Sequence, residues 1–402
     1  MTNLPLKGIK VIDYSHFLAG PFMSRTLAAL GADVIKVERP KTGDAGRASP
    51  TQKDGISGYF LQQNMGKRGL CLDLRHPKAV ELMKRLTRTA DVFVENYRPG
   101  ALAKFGLGYE DLAKDNPGLV YASVSAFGHT GPLSERAGFG LIAEAMCGAM
   151  SIIGKKGEAP PLFRMPLADM YTGIHGTAAI VAALYGREKT GLGQHIDLAL
   201  YDCMVSMHDY ALQGYLMSDG QNLPEQTGDN LPDSTVYGCF AAPDGYLVIA
   251  AQVDETWVRL AGLIGGEALA NDARFLGAAN RNAHNTEAIS LVRDWCAAQE
   301  SRAAILQMLD DAGVPAAPVQ TIDEVANDPQ IAARGMIIEQ DHPKLGKVRL
   351  PNLPFRFSGY ELGVPKPAPD LGEDNATIAR ELGFSPDEIA EMLDTGALYQ
   401  VD

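Results

Sequence analysis

Short apolar runs and helical stretches take turns along residues 9–124, a rhythm that folds as a parallel sheet with helices on both faces. Ile9, Val11 and Ile12 predict a buried strand. A helix from Pro21 to Leu30 follows, opened by Gly20 and Pro21 and stopped by Gly31, and Val34 to Val37 form the next strand. The series continues with strand Leu70 to Leu72, helix Pro77 to Thr89, strand Val92 to Val94, helix Glu110 to Lys114 and strand Leu119 to Val124. The expected class is α/β, with a large Rossmann-like parallel-sheet domain. In such sheets ligands bind beyond the carboxyl ends of the strands. The residues there are Ser15 and His16, then Arg39, then Asp73 and Arg75, then Asn96, Tyr97 and Arg98. A single Arg or Asn at a strand end commonly only solvates a loop. Their joint occurrence at one rim favours a binding site.

After a strand at Ile196 to Leu200, the Met-rich stretch Asp202 to Met217 reads as a helix leaving the first domain, and polar sequence from Ser218 to Ser234 reads as a linker. A smaller α/β unit follows: strand Tyr246 to Ala250, helices Glu255 to Leu263, Thr286 to Ala298 and Arg302 to Ala312, and strand Ala316 to Val319. Past Asp328 and Pro329, the proline-spaced segment Gly346 to Pro369 reads as strand-like and ends in a short helical tail, which suits a return to the first domain or to a partner chain. The expected division is residues 1–200 as the first part of the large domain, 201–234 as linker, 235–325 as the small domain and 326–402 as the return.

The chain of 402 residues carries a net charge of −13, which argues against broad capture of nucleic acid or of an anionic membrane. Cys71, Cys147, Cys203, Cys239 and Cys296 are odd in number and follow no metal-ligand spacing, so a reducing cytoplasmic location is expected. Met1 to Lys7 has no basic-then-apolar export pattern, and no stretch reaches the length of a membrane span. The first turn, Ser15-His16-Phe17-Leu18-Ala19-Gly20, has one glycine where a nicotinamide site has three. No hydrolase elbow, His-Glu-x-x-His or phosphate-binding Walker loop occurs.

The most informative segment is Pro166-Leu167-Ala168-Asp169-Met170-Tyr171-Thr172-Gly173, followed by a run in which Gly173, Gly176 and Ala179 recur every third position. This spacing predicts a tightly packed, buried helix with Asp169 at or near its N-cap. Free N–H groups and the helix dipole there favour an ionised carboxylate. Such a group caps a helix, or acts as a covalent nucleophile when held against an activated carbonyl.

Several spaced motifs run nearly end to end. They are Leu6-x-Gly8-x-x-Val11-x-Asp13, Ala19-Gly20-Pro21, Gly31 to Pro40, Lys67-Arg68 with Leu72-Asp73-Leu74, and Glu95 to Gly100. Gly128-x-x-Gly131-Pro132, Leu167-x-Asp169, Gly191-x-Gly193-Gln194 and Gly313-Val314-Pro315-x-x-Pro318-Val319 complete the series. In this order they resemble the class III CoA-transferase family, which holds formyl-CoA transferases and, as relatives, alpha-methylacyl-CoA racemases. The resemblance implies that coenzyme A is bound as an acyl-CoA substrate, with no metal or nicotinamide, and that Asp169 is the nucleophile. It implies an aspartyl anhydride and then an aspartyl-CoA thioester, both on Asp169. It places CoA on Phe17, Leu18, Ala19, Arg39, Leu72, Asp73, Leu74, Arg75, Asn96, Tyr97, Arg98, Lys104, Arg136, Ala137 and Phe139, and it implies an interlocked homodimer. Arg39, Arg75, Arg98 and Lys104 suit CoA phosphates.

Leu18 stands where formyl-CoA transferases carry glutamine, so their formate and oxalate specificity is not inherited. Their glycine-rich active-site loop has its nearest counterpart in Gly228 to Pro232. Racemase relatives use the histidine of an Ala-Gly-His-Asp motif, but here the motif reads Ala137-Gly138-Phe139-Gly140, and phenylalanine accepts no proton. Racemisation therefore ranks below transfer. A non-catalytic acyl-CoA-binding protein is the third reading.

Overall fold

The computed structural model describes residues 4–231 and 233–401, so Met1 to Asn3 and Pro232, which belong to segments discussed above, lie outside the described residues. The chain forms two compact units, one of 1–147, 163–209 and 329–402 and the other of 148–162 and 210–328. Residues 148–162, read from sequence as part of the large domain, thus cluster with the second unit.

In the first unit β1 (Lys10–Tyr14), α1 (Ala19–Ala29) and β2 (Asp33–Glu38) form a parallel crossover. A ribbon of β3 (Gln52–Lys53) and β4 (Ile56–Ser57) and the helix α2 (Gly58–Asn64) follow. These pieces are too short to show a period, and sequence reading missed them. The Ser57 hydroxyl caps α2 on the N–H of Phe60. Next come β5 (Arg68–Cys71), α3 (Pro77–Arg88), β6 (Val92–Glu95), α4 (Tyr109–Asp115), β7 (Val120–Ser125) and α5 (Gly140–Met146). After α6 (Ala149–Ile152) of the second unit, α7 (Leu167–Thr190), β8 (Gln194–Ala199) and α8 (Leu200–Ser206) complete this part.

Six strands form one parallel sheet in the order β5-β2-β1-β6-β7-β8. Ile12 pairs with Ile35 on one side and with Phe93 on the other. The order reverses between β1 and β6, so the loops leaving these strands part and open a crevice at their carboxyl ends.

The second unit has α9 (Ala211–Met217), β9 (Tyr237–Ala242), β10 (Gly245–Ala250), α10 (Asp254–Ala270), α11 (Ala278–Ala283), α12 (Asn285–Ala297), α13 (Arg302–Asp311), β11 (Ala316–Pro318) and α14 (Ile322–Ala326). Its antiparallel sheet, β11-β10-β9, packs Phe240, Leu247 and Ile249 against Trp257, Leu260 and Val292 of the helices. The stretch Asp202 to Met217, predicted as one helix, is two, and the unit boundary falls between them.

The chain then returns to the first unit through α15 (Pro329–Ala333), β12 (Ile337–His342), β13 (Gly346–Pro351), α16 (Asn375–Glu381) and α17 (Pro386–Asp394). The strand-like reading of Gly346 to Pro369 holds only to Pro351; Pro354, Pro365, Pro367 and Pro369 have no N–H to give a ladder. Ile378 and Met392 of the last helices join Ile12, Ile35, Phe93, Leu82 and Leu86 in one core on the α3 face of the sheet. Each such side chain contributes about 1.5–3 kcal/mol on burial. On the other face α1 meets α7 closely. A methyl on Gly173 would lie 2.7 Å from Phe22, and one on Gly176 would lie 2.0 Å from the sulfur of Met23. The small-residue run therefore serves this contact. The opposite stripe of α7, with Ile174, Val181 and Tyr185, is exposed, so the tightly packed, buried helix expected from sequence is buried on one side only.

Candidate active site

The crevice is built on the turn after β1, which is clamped on both sides. Asn96, just past β6, accepts from the N–H of His16 at 2.8 Å and donates to its carbonyl at 2.7 Å. Asp44 accepts from the N–H of Phe17 at 3.0 Å, and Lys36 donates to the carbonyl of Ser15 at 2.5 Å. These bonds hold Phe17 at φ 62°, a conformation that a non-glycine residue keeps only when its surroundings enforce it. Behind the turn lies a fully buried charge cluster. Asp13 is 2.8 Å from Lys67 and 3.7 Å from Lys36, and Lys36 is 2.8 Å from Asp44.

Asp169 faces this turn across a cleft of about 290 Å³. The walls include His16, Phe17, Leu18, Ala19, Tyr59, Asn96, Ser125, Phe139, Gly140 and Leu200, with no lysine or arginine. Asp169 is the third residue of α7, in its first turn, and the N-cap is Pro166. One expectation needs correction. The carboxyl is pushed up to about 6, because burial and the charge of Glu144 outweigh whatever the helix terminus offers. Glu144 is itself buried on α5 and accepts from the N–H of Ala168 at 3.2 Å. A methyl on Gly140 would lie 2.3 Å from Asp169 Oδ2, so the backbone of α5 lies against this carboxylate. Around the cleft, burial lowers the His16 imidazole, and burial followed by the charge of Asp169 raises the Tyr59 phenol.

The expected CoA contacts fall into two groups. Phe17, Leu18, Ala19, Asn96 and Phe139 line the cleft with Asp169. Arg39 and Tyr97 line a recess next to His16 and Phe17, and Tyr97, Arg98, Arg136 and Ala137 line another next to His16 and Phe139. The rings of Phe17 and Tyr97 each lie 5.0 Å from that of His16, and Glu95 accepts from the N–H of Tyr97 at 2.7 Å. The other group lies apart. Leu72 and Leu74 are buried in the core, Asp73 and Arg75 pair with one another at 2.7 Å with Arg75 pointing into solvent, and Lys104 is exposed on the short turn Ala103–Phe105. None of these five lines the cleft or its two neighbouring recesses. Sequence reasoning missed Tyr59, Gly140 and Glu144, which reach the site only through tertiary packing and carry no local signal.

Among the described residues no group of three or more His, Cys, Asp or Glu is placed to hold a metal ion, and no helix is long and apolar enough to cross a membrane. The arrangement is a carboxylate in an apolar-walled cleft, beneath a rigid turn, with arginines in the flanking recesses. It suits capture of an acyl group carried by an anionic ligand.

Residues 6–375 match CoA-transferase family III. The chain is 32% identical to human succinyl-CoA:glutarate CoA-transferase, over 100% of this chain and 91% of that protein. It is 37% identical to the succinate–glutarate CoA-transferase of Agrobacterium fabrum, over 94% of this chain and 96% of the relative. A crystal structure of a CaiB/BaiF family protein from Brucella suis superposes with a TM-score of 0.84 at 39% identity, covering 94% of this chain and 100% of that one.

Proposed function

Since the chain belongs to CoA-transferase family III, we propose that it moves CoA from succinyl-CoA to a small carboxylic acid through covalent intermediates on Asp169. Transfer of CoA between an acyl-CoA and an acid is the family's activity; the donor and the covalent route are our reading. The observation that carries it is a largely buried carboxylate with no cation among the walls of its cleft, set against the clamped turn Phe17 to Ala19.

Asp169 attacks the donor carbonyl, and the C–S bond breaks to give a mixed anhydride and CoA thiolate. The thiolate then attacks the aspartyl carbonyl and releases the donor acid, leaving an aspartyl-CoA thioester that the acceptor reverses. Arg39, Arg98 and Arg136 lie where the phosphates of CoA would find positive charge, and the outlying Asp73, Arg75 and Lys104 remain candidates for its far end. We further place the enzyme in the cytoplasm as an interlocked homodimer. The outward stripe Ile174, Val181 and Tyr185 supports the dimer, and an odd number of cysteines in no metal-ligand spacing suits a reducing compartment. Sedimentation at the mass of one chain would remove the dimer from this reading.

The test is incubation with succinyl-CoA and a panel of mono- and dicarboxylates, followed by mass spectrometry of the products and of the intact protein. A hydroxylamine-sensitive adduct of CoA mass on Asp169 is expected. Turnover with that side chain always unmodified overturns the scheme. A pH profile adds a second check. The ionised form attacks, so kcat/KM, which reports the free enzyme, should fall as the pH drops through about 6. Below that point it should fall about tenfold per pH unit. A limb near 4 would contradict the burial of the nucleophile.

A further inference from the structure

The scheme just proposed leaves Glu144 without a part. Its side chain is 3% exposed, and its Oε1 holds the N–H of Ala168, the residue before Asp169. The first turn of α7 needs such a partner, because Pro166 at the N-cap has no side chain able to accept. Several titratable groups stand near Asp169 on the elements around it. Glu144 comes from α5, Tyr59 from α2, His16 from the turn after β1, and Cys203 from α8 at one remove through Thr172. The cleft walls offer no ammonium or guanidinium to offset the two carboxylates.

Resting on the aspartyl scheme, we propose that Glu144 is the positioning residue of the nucleophile: it fixes the first turn of α7 and, as a like charge behind Asp169, favours the acylated form. In the free enzyme Asp169 carries a negative charge beside Glu144. In the anhydride and in the thioester it carries none. Across the half-reaction the oxygen–acyl bond forms and the C–S bond breaks with its electron pair on sulfur. The C–S bond to the aspartyl carbon then forms, and the C–O bond breaks with its pair on the donor acid. No proton is exchanged, and the charge leaves the cleft with the departing carboxylate. Protonation and acylation both neutralise Asp169, so a neighbouring charge favours both by the same factor. The position of the acid limb, raised by burial first and Glu144 second, is the visible sign of that factor.

Glu144→Gln keeps an oxygen for the N–H of Ala168 and removes the charge. We expect its acid limb to move below the wild-type value of about 6. With donor and product acid at a fixed ratio, the proportion of aspartyl-CoA adduct should fall about tenfold for each pH unit the limb moves. CoA affinity should stay near that of the wild type, and the unfolding temperature at pH 7.5 should not fall but rise slightly, since a limb moved down removes part of the cost of the ionised Asp169. Glu144→Asp, which keeps the charge, should hold the limb close to that of the wild type even where it loosens the turn. A wild-type adduct of normal abundance together with an unmoved Glu144→Gln limb overturns this inference alone. A wild type that forms no adduct overturns the aspartyl scheme and the inference together. A limb that moves equally in the Gln and Asp variants reduces Glu144 to a structural cap and also overturns it.

Discussion

Asp169→Asn is expected to abolish CoA exchange and, at neutral pH, to make the protein more stable. The loss follows from chemistry: an amide cannot form the anhydride, and no other carboxylate lines the cleft. A drop of at least about 1,000-fold is expected, equivalent to ~4 kcal/mol of barrier. CoA should still bind, because the turn Phe17 to Ala19 and the arginine recesses do not depend on Asp169. The stability gain follows from linkage. Burial, and then Glu144, raise the carboxyl from 3.8 to about 6, so between those values the folded protein binds a proton more tightly than the unfolded chain. Above about 6 the ionised side chain costs stability, on the order of 3 kcal/mol. That cost disappears as the pH falls towards 3.8. The variant should therefore melt higher than the wild type at pH 7.5, with the difference closing towards pH 4. Retained exchange, or a variant that melts lower at pH 7.5, would contradict this placement of the nucleophile.

The same side chain illustrates what local sequence reveals. The small-residue run from Gly173 marked α7 as closely packed, because each missing Cβ leaves a periodic mark, but it did not name α1 as the partner. The start of α7 left no such mark. Its first turn is held by Glu144 from another helix, and a cap supplied across the fold is invisible to a reading of neighbours along the chain. The rim residues show a second limit. Strand alternation foretold a parallel sheet, but not its order. In the order found, Ser15 to Leu18 and Asn96 to Arg98 flank the switch point between β1 and β6, whereas Asp73 and Arg75 follow the edge strand β5, two positions from β1. Strand order depends on which helix packs on which face, and that is decided by long-range burial.

The cluster beneath the turn gives the second large effect. Asp13 is fully buried and receives hydrogen bonds from Lys67 at 2.8 Å, from Ser24 at 2.7 Å and from the N–H of Ser15 at 3.1 Å. Burial alone would raise its carboxyl, but the charges of Lys36 and Lys67 overcome this and hold it far below the usual carboxylate range. Its stabilising contribution is thus present above the unfolded value of 3.8 and is lost as the pH falls below it. Asp13→Ala leaves Lys36 and Lys67 fully buried with Asp44 as the remaining close carboxylate, 2.8 Å from Lys36. Breaking a buried ion pair from one side costs about 3–5 kcal/mol, so the urea midpoint and the soluble yield should fall sharply. CoA affinity should fall with them, because Lys36 and Asp44 hold the backbone of Ser15 and Phe17. A double variant separates charge from shape: Asp13→Asn with Lys67→Met removes one charge of each sign and should recover much of the lost stability. Asp13→Ala within about 1 kcal/mol of the wild type would show that the lysines find other partners, since the cost of an unpaired buried charge is larger than that. A double variant no better than the single one would place the cost in packing.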